Sequence, residues 1–427
     1  MELYDFQQAV LARTEGQKRV AYYLDMGLGK TFIGAEHMDQ IGNSINLVIC
    51  QKSKIPDWVN HFRDNYPDYE IYTLTGKDGL QEFLTTEEKA VGIINYELTF
   101  RRLELTKIRH FTLMLDESSL IANEHAKRSK VCLKLGRLAD AVILLSGTPT
   151  AGKYERLWSQ CQMLGWNITK QTYWSSYICS EWEDFGGFFH QVVTGYKNVD
   201  HLKQKLAEHG AVFLKTSEVM TLPEQVEQTI WCKPSRQYWK FLKDSYAKFL
   251  WDGEQIELVG DNVLTRILYA RQLCGAYSKE KLQAFDDLLD STDDSLVVFY
   301  CYNQELQELQ GIAEKHDRRV GIVNGKQKDL PEGHDILLVQ YQAGAYGLNL
   351  QGFSNKIVYY TLPLGKGSCD MWQQSKKRIH RIGQKQTCIY YYLMTKNSIE
   401  TRNLQALQEG TDLTNDLFTS WWDERKI

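Results

Sequence analysis

Short apolar runs of strand length recur through the first 150 residues. They are Val20–Leu24, Asn46–Cys50, Glu70–Leu74, Ala90–Asn95, Phe111–Leu115 and Ala141–Leu145. Each is rich in Val, Ile, Leu or Tyr and is followed by a longer amphipathic stretch, the rhythm of βα units around a largely parallel sheet. The rhythm lapses between about 151 and 280, where Ser235–Trp251 and Asp261–Ala276 read as helices. It returns with Ser295–Tyr300, Arg319–Val323, Asp335–Gln340, Lys356–Tyr360 and Cys388–Leu393. The pattern predicts an α/β chain of two parallel-sheet lobes joined by helical insertions. The first lobe covers 1–222, with a helical, aromatic-rich insertion at 151–215. A helical junction covers 223–277 and the second lobe 278–427.

Trp158, Trp166, Trp174 and Trp182 stand eight residues apart. Eight helical steps leave an offset of about 80°, and the intervening residues do not match. The spacing therefore reads as core packing, not a repeat.

Composition narrows the classes. With 43% hydrophobic and 24% charged residues among 427, the chain has an ordinary globular mix, which excludes a disordered or collagen-like protein. Fifty Lys and Arg against 54 Asp and Glu give a net charge of −4, so any nucleic-acid surface must be local. The start, MELYDFQQAV, has no basic segment ahead of an apolar core. No apolar run approaches the ~20 residues that span a bilayer. The nine cysteines form no CxxC pair, so neither a zinc site nor a disulfide framework is expected. An intracellular, cytoplasmic chain without membrane contact is the expectation.

The candidate chemistry begins at Asp25-Met26-Gly27-Leu28-Gly29-Lys30-Thr31, between an apolar run and a helical stretch at Thr31–Ile41. A Gly-rich turn lets backbone N–H groups close around phosphates, and the following helix N-terminus favours negative charge. Lys30 is placed to reach the β/γ-phosphates of ATP, and the Thr31 hydroxyl to hold Mg²⁺. The full GxxxxGK[ST] pattern wants Gly where this chain has Leu24, so the match is to its GxGKT half. Phe111–Leu115 then runs into Asp116-Glu117, an apolar strand ending in two carboxylates. Asp116 is the candidate Mg²⁺ ligand and Glu117 the candidate base for the attacking water. A third strand end, Leu144-Leu145-Ser146-Gly147-Thr148-Pro149, belongs with these, because strand C-termini of a parallel sheet gather at one edge.

The C-terminal half adds Gln374, Arg378 and Arg381. On a continuous helix, their i,i+4 and i,i+3 spacing puts them on one face. Two guanidiniums there suit a γ-phosphate by arginine-finger logic. The segment Gln342–Leu350 follows a strand, and its glycines permit close backbone approach to a ligand.

Together these segments resemble the Swi/Snf-type ATPases, a branch of helicase superfamily two. The carrying motifs are DMGLGKT (25–31), LDESS (115–119), LLSGTPT (144–150), QAGAYGLNL (342–350) and RIHRIGQ (378–384), in the family's order. Weaker echoes are Asp57-Trp58, Asn95-Tyr96-Glu97 and Leu222-Pro223, so the likeness covers nearly the whole chain. It implies two RecA-like lobes and an ATPase, using ATP and Mg²⁺, that tracks along double-stranded DNA; single-stranded DNA is the alternative track. With no further module in sight, targeting is expected from the helical insertions or from an unknown protein partner.

Residue by residue, Gln7 matches the adenine-reading glutamine. Gly27, Gly29, Lys30 and Thr31 match the phosphate loop, while Asp116 and Glu117 match the acidic pair. Ser146 and Thr148 match the coupling segment, and Gly347 and Asn349 the fifth motif. Gln374, Arg378 and Arg381 match the arginine motif. The departures are Ser118-Ser119 where the family usually has AH or GH, Ala345 for a Gly, and Lys377 for a common Asp. The missing His leaves open how hydrolysis is coupled to DNA. A strand-separating or restriction-type motor on the same core, and a nucleotide-gated DNA-binding scaffold, are the competing readings. The stretch 366–385 carries a local charge of +5. The basic stretch 127–137 reads as a solvated helix face, with a DNA-facing role the alternative.

Overall fold

The structure, a computed structural model, describes residues 3–25, 27–147, 149–150, 153–184, 189–219, 221–326, 335–341, 348–365 and 367–409. The chain divides into two compact units, Met1–Thr221 and Leu222–Ile427.

The first unit is built on a parallel sheet. Its strands are β1 (Arg19–Leu24), β2 (Ile45–Cys50), β3 (Glu70–Thr73), β4 (Ala90–Asn95), β5 (Phe111–Asp116), β6 (Ala141–Ser146) and, beyond a hairpin of β7 (Ile178–Asp184) and β8 (Phe189–Tyr196), β9 (Ala211–Leu214). The order across the sheet is β3-β4-β2-β5-β6-β1-β9. Central strands are continuous apolar runs because helices cover both faces of such a sheet; every residue of β4 and β6 is buried. The helix Lys30–Ile41 lies directly on the sheet. At Gly34 an added Cβ would meet Leu145 Cδ1 and Met114 Sδ at 2.9 Å, so a larger residue would lift this helix off β5 and β6.

The second unit has strands β10 (Gln225–Cys232), β11 (Tyr246–Trp251), β12 (Glu254–Val259), β13 (Leu296–Tyr300), β14 (Val320–Val323), β15 (Ile336–Gln340), β16 (Lys356–Tyr359) and β17 (Cys388–Thr395). Six form a parallel sheet in the order β10-β17-β16-β13-β15-β14. Each unit is thus an α/β lobe built on a parallel sheet. No helix among the described residues is long and apolar enough to cross a membrane.

The segments expected to be helical are mixed. The 151–215 stretch contains the β7–β8 hairpin and edge strand β9, and 223–277 contains edge strand β10 and the antiparallel pair β11–β12. Ser235–Trp251 is not one helix. A helix spans Arg236–Asp244, Ser245 turns left-handed at φ 55°, and β11 begins. Asp252 and Gly253, with φ of 47° and 79°, then make the tight Asp-Gly hairpin turn. The spaced tryptophans do not share one fate either. Trp158, Trp166 and Trp174 pack against the core, whereas Trp182 on β7 is exposed.

Candidate functional site

Beyond Leu24 the chain turns into the helix Lys30–Ile41. Gly27 and Gly29 sit at φ 89° and 73°, a region that costs an L-residue about 1–2 kcal/mol. A Cβ on Gly29 would also lie 2.3 Å from Gln7 Nε2. Gln7 is buried; its Nε2 donates to the Leu28 carbonyl at 3.1 Å, and its Oε1 accepts from Tyr4 N–H at 3.0 Å. The first helix is therefore pinned to the loop by the residue matched to adenine reading. Lys30 Nζ donates to the carbonyls of Leu24 (2.9 Å) and Asp25 (3.1 Å), and Thr31 lies half-buried beside it. Asp25 accepts from Thr216 N–H at 3.1 Å, which ties the loop to the segment after β9.

Asp116 ends β5. Its Oδ2 accepts the indole N–H of Trp58 at 2.9 Å, and its carbonyl accepts the Tyr96 hydroxyl at 2.8 Å. Burial lifts the Asp116 carboxyl above the ordinary range, and the Trp58 bond and then the Lys54 and Lys30 charges oppose that rise. Glu117 follows at φ 53°, ψ 57°, a left-handed conformation that a non-glycine residue keeps only when its surroundings hold it there. Ser118 is buried and donates to Gln160 Oε1 at 2.8 Å. The same Oε1 accepts from the Tyr23 hydroxyl at 2.9 Å, while Gln160 Nε2 donates to the Pro149 carbonyl at 3.0 Å.

Ser146 is buried at the end of β6. In the parallel register Tyr23 stands opposite Ser146, and Asp116 opposite Leu145. The Lys30 loop, the acidic pair and the Ser146 segment therefore leave the same edge of three adjacent strands. Thr148 lies outside the described residues.

In the second unit the helix Ser368–Lys376 carries Gln374, which is buried. The helix ends there, and Lys377 is its C-cap. Arg378 and Arg381 stand in the turns that follow, so the expected single helical face for the three residues is corrected. The backbone is diverted because the Arg378 carbonyl accepts from Leu350 N–H at 3.1 Å. Arg378 is buried, with Nη1 donating to the Leu348 carbonyl at 3.2 Å, and Arg381 Nη1 donates to Asn349 Oδ1. Burial lowers the Arg381 guanidinium from its usual range. The 348–350 segment and the arginine turns are thus one laced structure. Gly347 lies outside the described residues.

Three site neighbours had no role in the sequence reading. Trp58 and Tyr96 fall in the Asp57-Trp58 and Asn95-Tyr96-Glu97 echoes, which marked the positions but not the partners. Gln160 had no signal, since nothing in a sequence ties it to Tyr23, Ser118 and Pro149.

A family model described as the SNF2-related domain matches residues 23–278. The DNA repair and recombination protein RAD26 of Saccharomyces cerevisiae is 24% identical over 490 residues, covering 92% of this chain and 44% of that protein. The putative ATP-dependent helicase/translocase YwqA of Bacillus subtilis is 24% identical over 445 residues, covering 92% and 45%. The chain spans less than half the length of these relatives. Among solved structures, the Sulfolobus solfataricus SWI2/SNF2 ATPase core in complex with dsDNA aligns with a TM-score of 0.46 and 17% identity, over 100% of this chain and 94% of that one.

Proposed function

Since this chain belongs to the SNF2-related family, whose domain its residues 23–278 match, we propose that it is a DNA-stimulated ATP hydrolase that moves along duplex DNA. The observation that carries the reading is the shared edge of β1, β5 and β6, where the Lys30 loop, Asp116-Glu117 and Ser146 emerge together. The names of two relatives, a DNA repair protein and a helicase/translocase, favour DNA as the track.

In this reading Gln7 meets the adenine, and the loop of Gly27 and Gly29 cradles the phosphates with its N–H groups. Lys30 exchanges its carbonyl partners for phosphate oxygens. The Thr31 hydroxyl and Asp116 carboxylate are hard oxygen donors, a set that fits Mg²⁺. When bound, Mg²⁺ neutralises phosphate charge. Glu117 orients the attacking water and accepts its proton. Arg381, held by Asn349, supplies charge to the transferring phosphoryl group, and Arg378 fixes the 348–350 segment that orients Arg381. Ser146, Thr148, Asn349 and Gln374 couple this cycle to the DNA, whose contacts fall mainly on phosphates. Within the basic stretch 366–385, Lys377 and Lys385 are the candidate contacts to DNA phosphates, since Arg378 is buried, Lys376 pairs with Glu227 and Arg381 serves the phosphoryl group.

ATP turnover measured without nucleic acid, and with single-stranded DNA, duplex DNA or RNA, tests the proposal. Duplex DNA is expected to stimulate most, with no strand released from a labelled duplex. Stimulation by RNA alone, or by nothing, would overturn it. Lys30→Ala and Arg381→Ala are each expected to abolish stimulated turnover while the fold persists.

A further inference from the structure

Glu117 is the one residue of the acidic segment held in a left-handed conformation, and its two neighbours are anchored from different directions. On one side the Tyr96 hydroxyl holds the Asp116 carbonyl. On the other, the Ser118 hydroxyl is held by Gln160. Gln160 is fully buried on the helix Trp158–Met163. Its orientation is not ambiguous: the Pro149 carbonyl accepts only, so the amide nitrogen must face it. The amide oxygen is then left to the two hydroxyls of Tyr23 and Ser118, one for each lone pair. A single side chain thereby ties the strand entering the phosphate loop, the residue after the acidic pair and the segment after β6.

We infer that Gln160 is a positioning residue for Glu117, setting the base's left-handed geometry through Ser118 and fixing that geometry relative to the phosphate loop through Tyr23. The inference rests on the reading of Glu117 as the base. It also explains how a chain with Ser118 at this position turns that hydroxyl into a brace: a buried serine there requires an acceptor, and Gln160 is that acceptor.

The test compares the full chain with Gln160→Met, Gln160→Glu, Ser118→Ala and Glu117→Gln. The readouts are kcat and KM for ATP, equilibrium affinity for a fluorescent ATP analogue, and thermal midpoint. Gln160→Met matches the side chain in bulk and removes all three bonds. It is expected to lower kcat about 10-fold while KM and analogue affinity stay within ~2-fold, the signature of an interaction that matters in the transition state. Gln160→Glu keeps both acceptor positions and, protonated by burial, a donor toward Pro149; it is expected to restore kcat to within ~3-fold of wild type. A role in packing alone would lower thermal midpoint and analogue affinity together, without rescue by Glu, and would overturn the inference. If Gln160→Met does not fold, Ser118→Ala carries the test, since it deletes only the Ser118–Gln160 bond. Wild-type kcat in Ser118→Ala, or in a folded Gln160→Met, would overturn the positioning role. Full turnover in Glu117→Gln would remove the base assignment itself and the inference with it. Loss in Glu117→Gln with no loss in the other variants would remove the positioning role alone.

Discussion

The indole N–H of Trp58 donates to the Oδ2 of Asp116 at 2.9 Å, across 58 residues of chain. Trp58 is buried on the helix Ile55–Asn65, so its ring is fixed before the carboxylate meets any ligand. Outer partners of a metal-binding carboxylate orient it and tune its affinity. Trp58→Phe keeps the apolar bulk and removes the donor. The Mg²⁺ concentration for half-maximal ATP turnover is expected to rise about 10-fold. An unchanged Mg²⁺ titration would show that the bond does not serve metal binding.

Gly29 faces two independent constraints, a φ of 73° and a Gln7 nitrogen 2.3 Å from any added Cβ. Gly29→Ala is expected to weaken binding of a fluorescent ATP analogue at least ~10-fold, because both the turn and the Gln7 brace must shift. Adding Gln7→Ala relieves the clash but not the backbone strain, so it is expected to recover only part of the stability. Full recovery of the thermal midpoint in the double variant would mean that the backbone conformation costs nothing.

Lys281 and Glu400 form an ion pair of 2.6 Å in the core of the second unit, both fully or nearly fully buried. Glu400 also accepts from Thr395 N–H at 2.9 Å, and the Lys281 ammonium lies over the Tyr360 ring. Lys281→Met strands a buried carboxylate and is expected to destabilise this unit by about 3–5 kcal/mol, read by denaturant unfolding. Adding Glu400→Gln removes that charge and is expected to return much of the loss. No recovery in the double variant would assign the cost to packing.

His61 is buried among Phe32, Trp58, Phe62 and Tyr66, and burial lowers its pKa from 6.5 to about 4, opposed in part by Asp64. The folded protein therefore resists protonation that the unfolded chain accepts. The sign follows: stability is full above pH 6.5 and falls as pH drops toward about 4. The contribution is on the order of 2 kcal/mol after allowing for partial solvent contact. Thermal midpoints of His61→Leu are expected to fall less steeply across that window than those of wild type. Parallel curves would place the acid sensitivity elsewhere.

Much of the scaffold is legible in the sequence alone. Buried parallel strands are continuous apolar runs, so β1, β2, β4, β5, β6, β13, β15 and β16 stand out within a residue or two of their ends. The edge strands β3 and β14 are also legible, as Glu70–Leu74 and Arg319–Val323, but the edge strands β9 and β10 and the hairpin strands are not. β10, Gln225–Cys232, is largely exposed and interleaves polar residues. The β11–β12 hairpin hid behind an amphipathic helix that stops at Ser245, although its Asp252-Gly253 turn was a readable signal.

What the sequence by itself determined was chemistry that is local in the chain. A glycine turn before a helix, two carboxylates after an apolar strand, and a run of arginines are each contiguous, and contiguity fixes which groups can act together at short range. Tertiary structure decided the partnerships. The helical face proposed for Gln374, Arg378 and Arg381 gave way to turns, because backbone bonding to Leu350 competes with the next helical turn. Trp58 on Asp116, and Gln160 on Tyr23, Ser118 and Pro149, join residues 11 to 137 positions apart. Strand order brings them together, and burial then requires each polar atom to find a partner there; an apolar run announces that a strand is buried, but strand order is not written in any local stretch of chain.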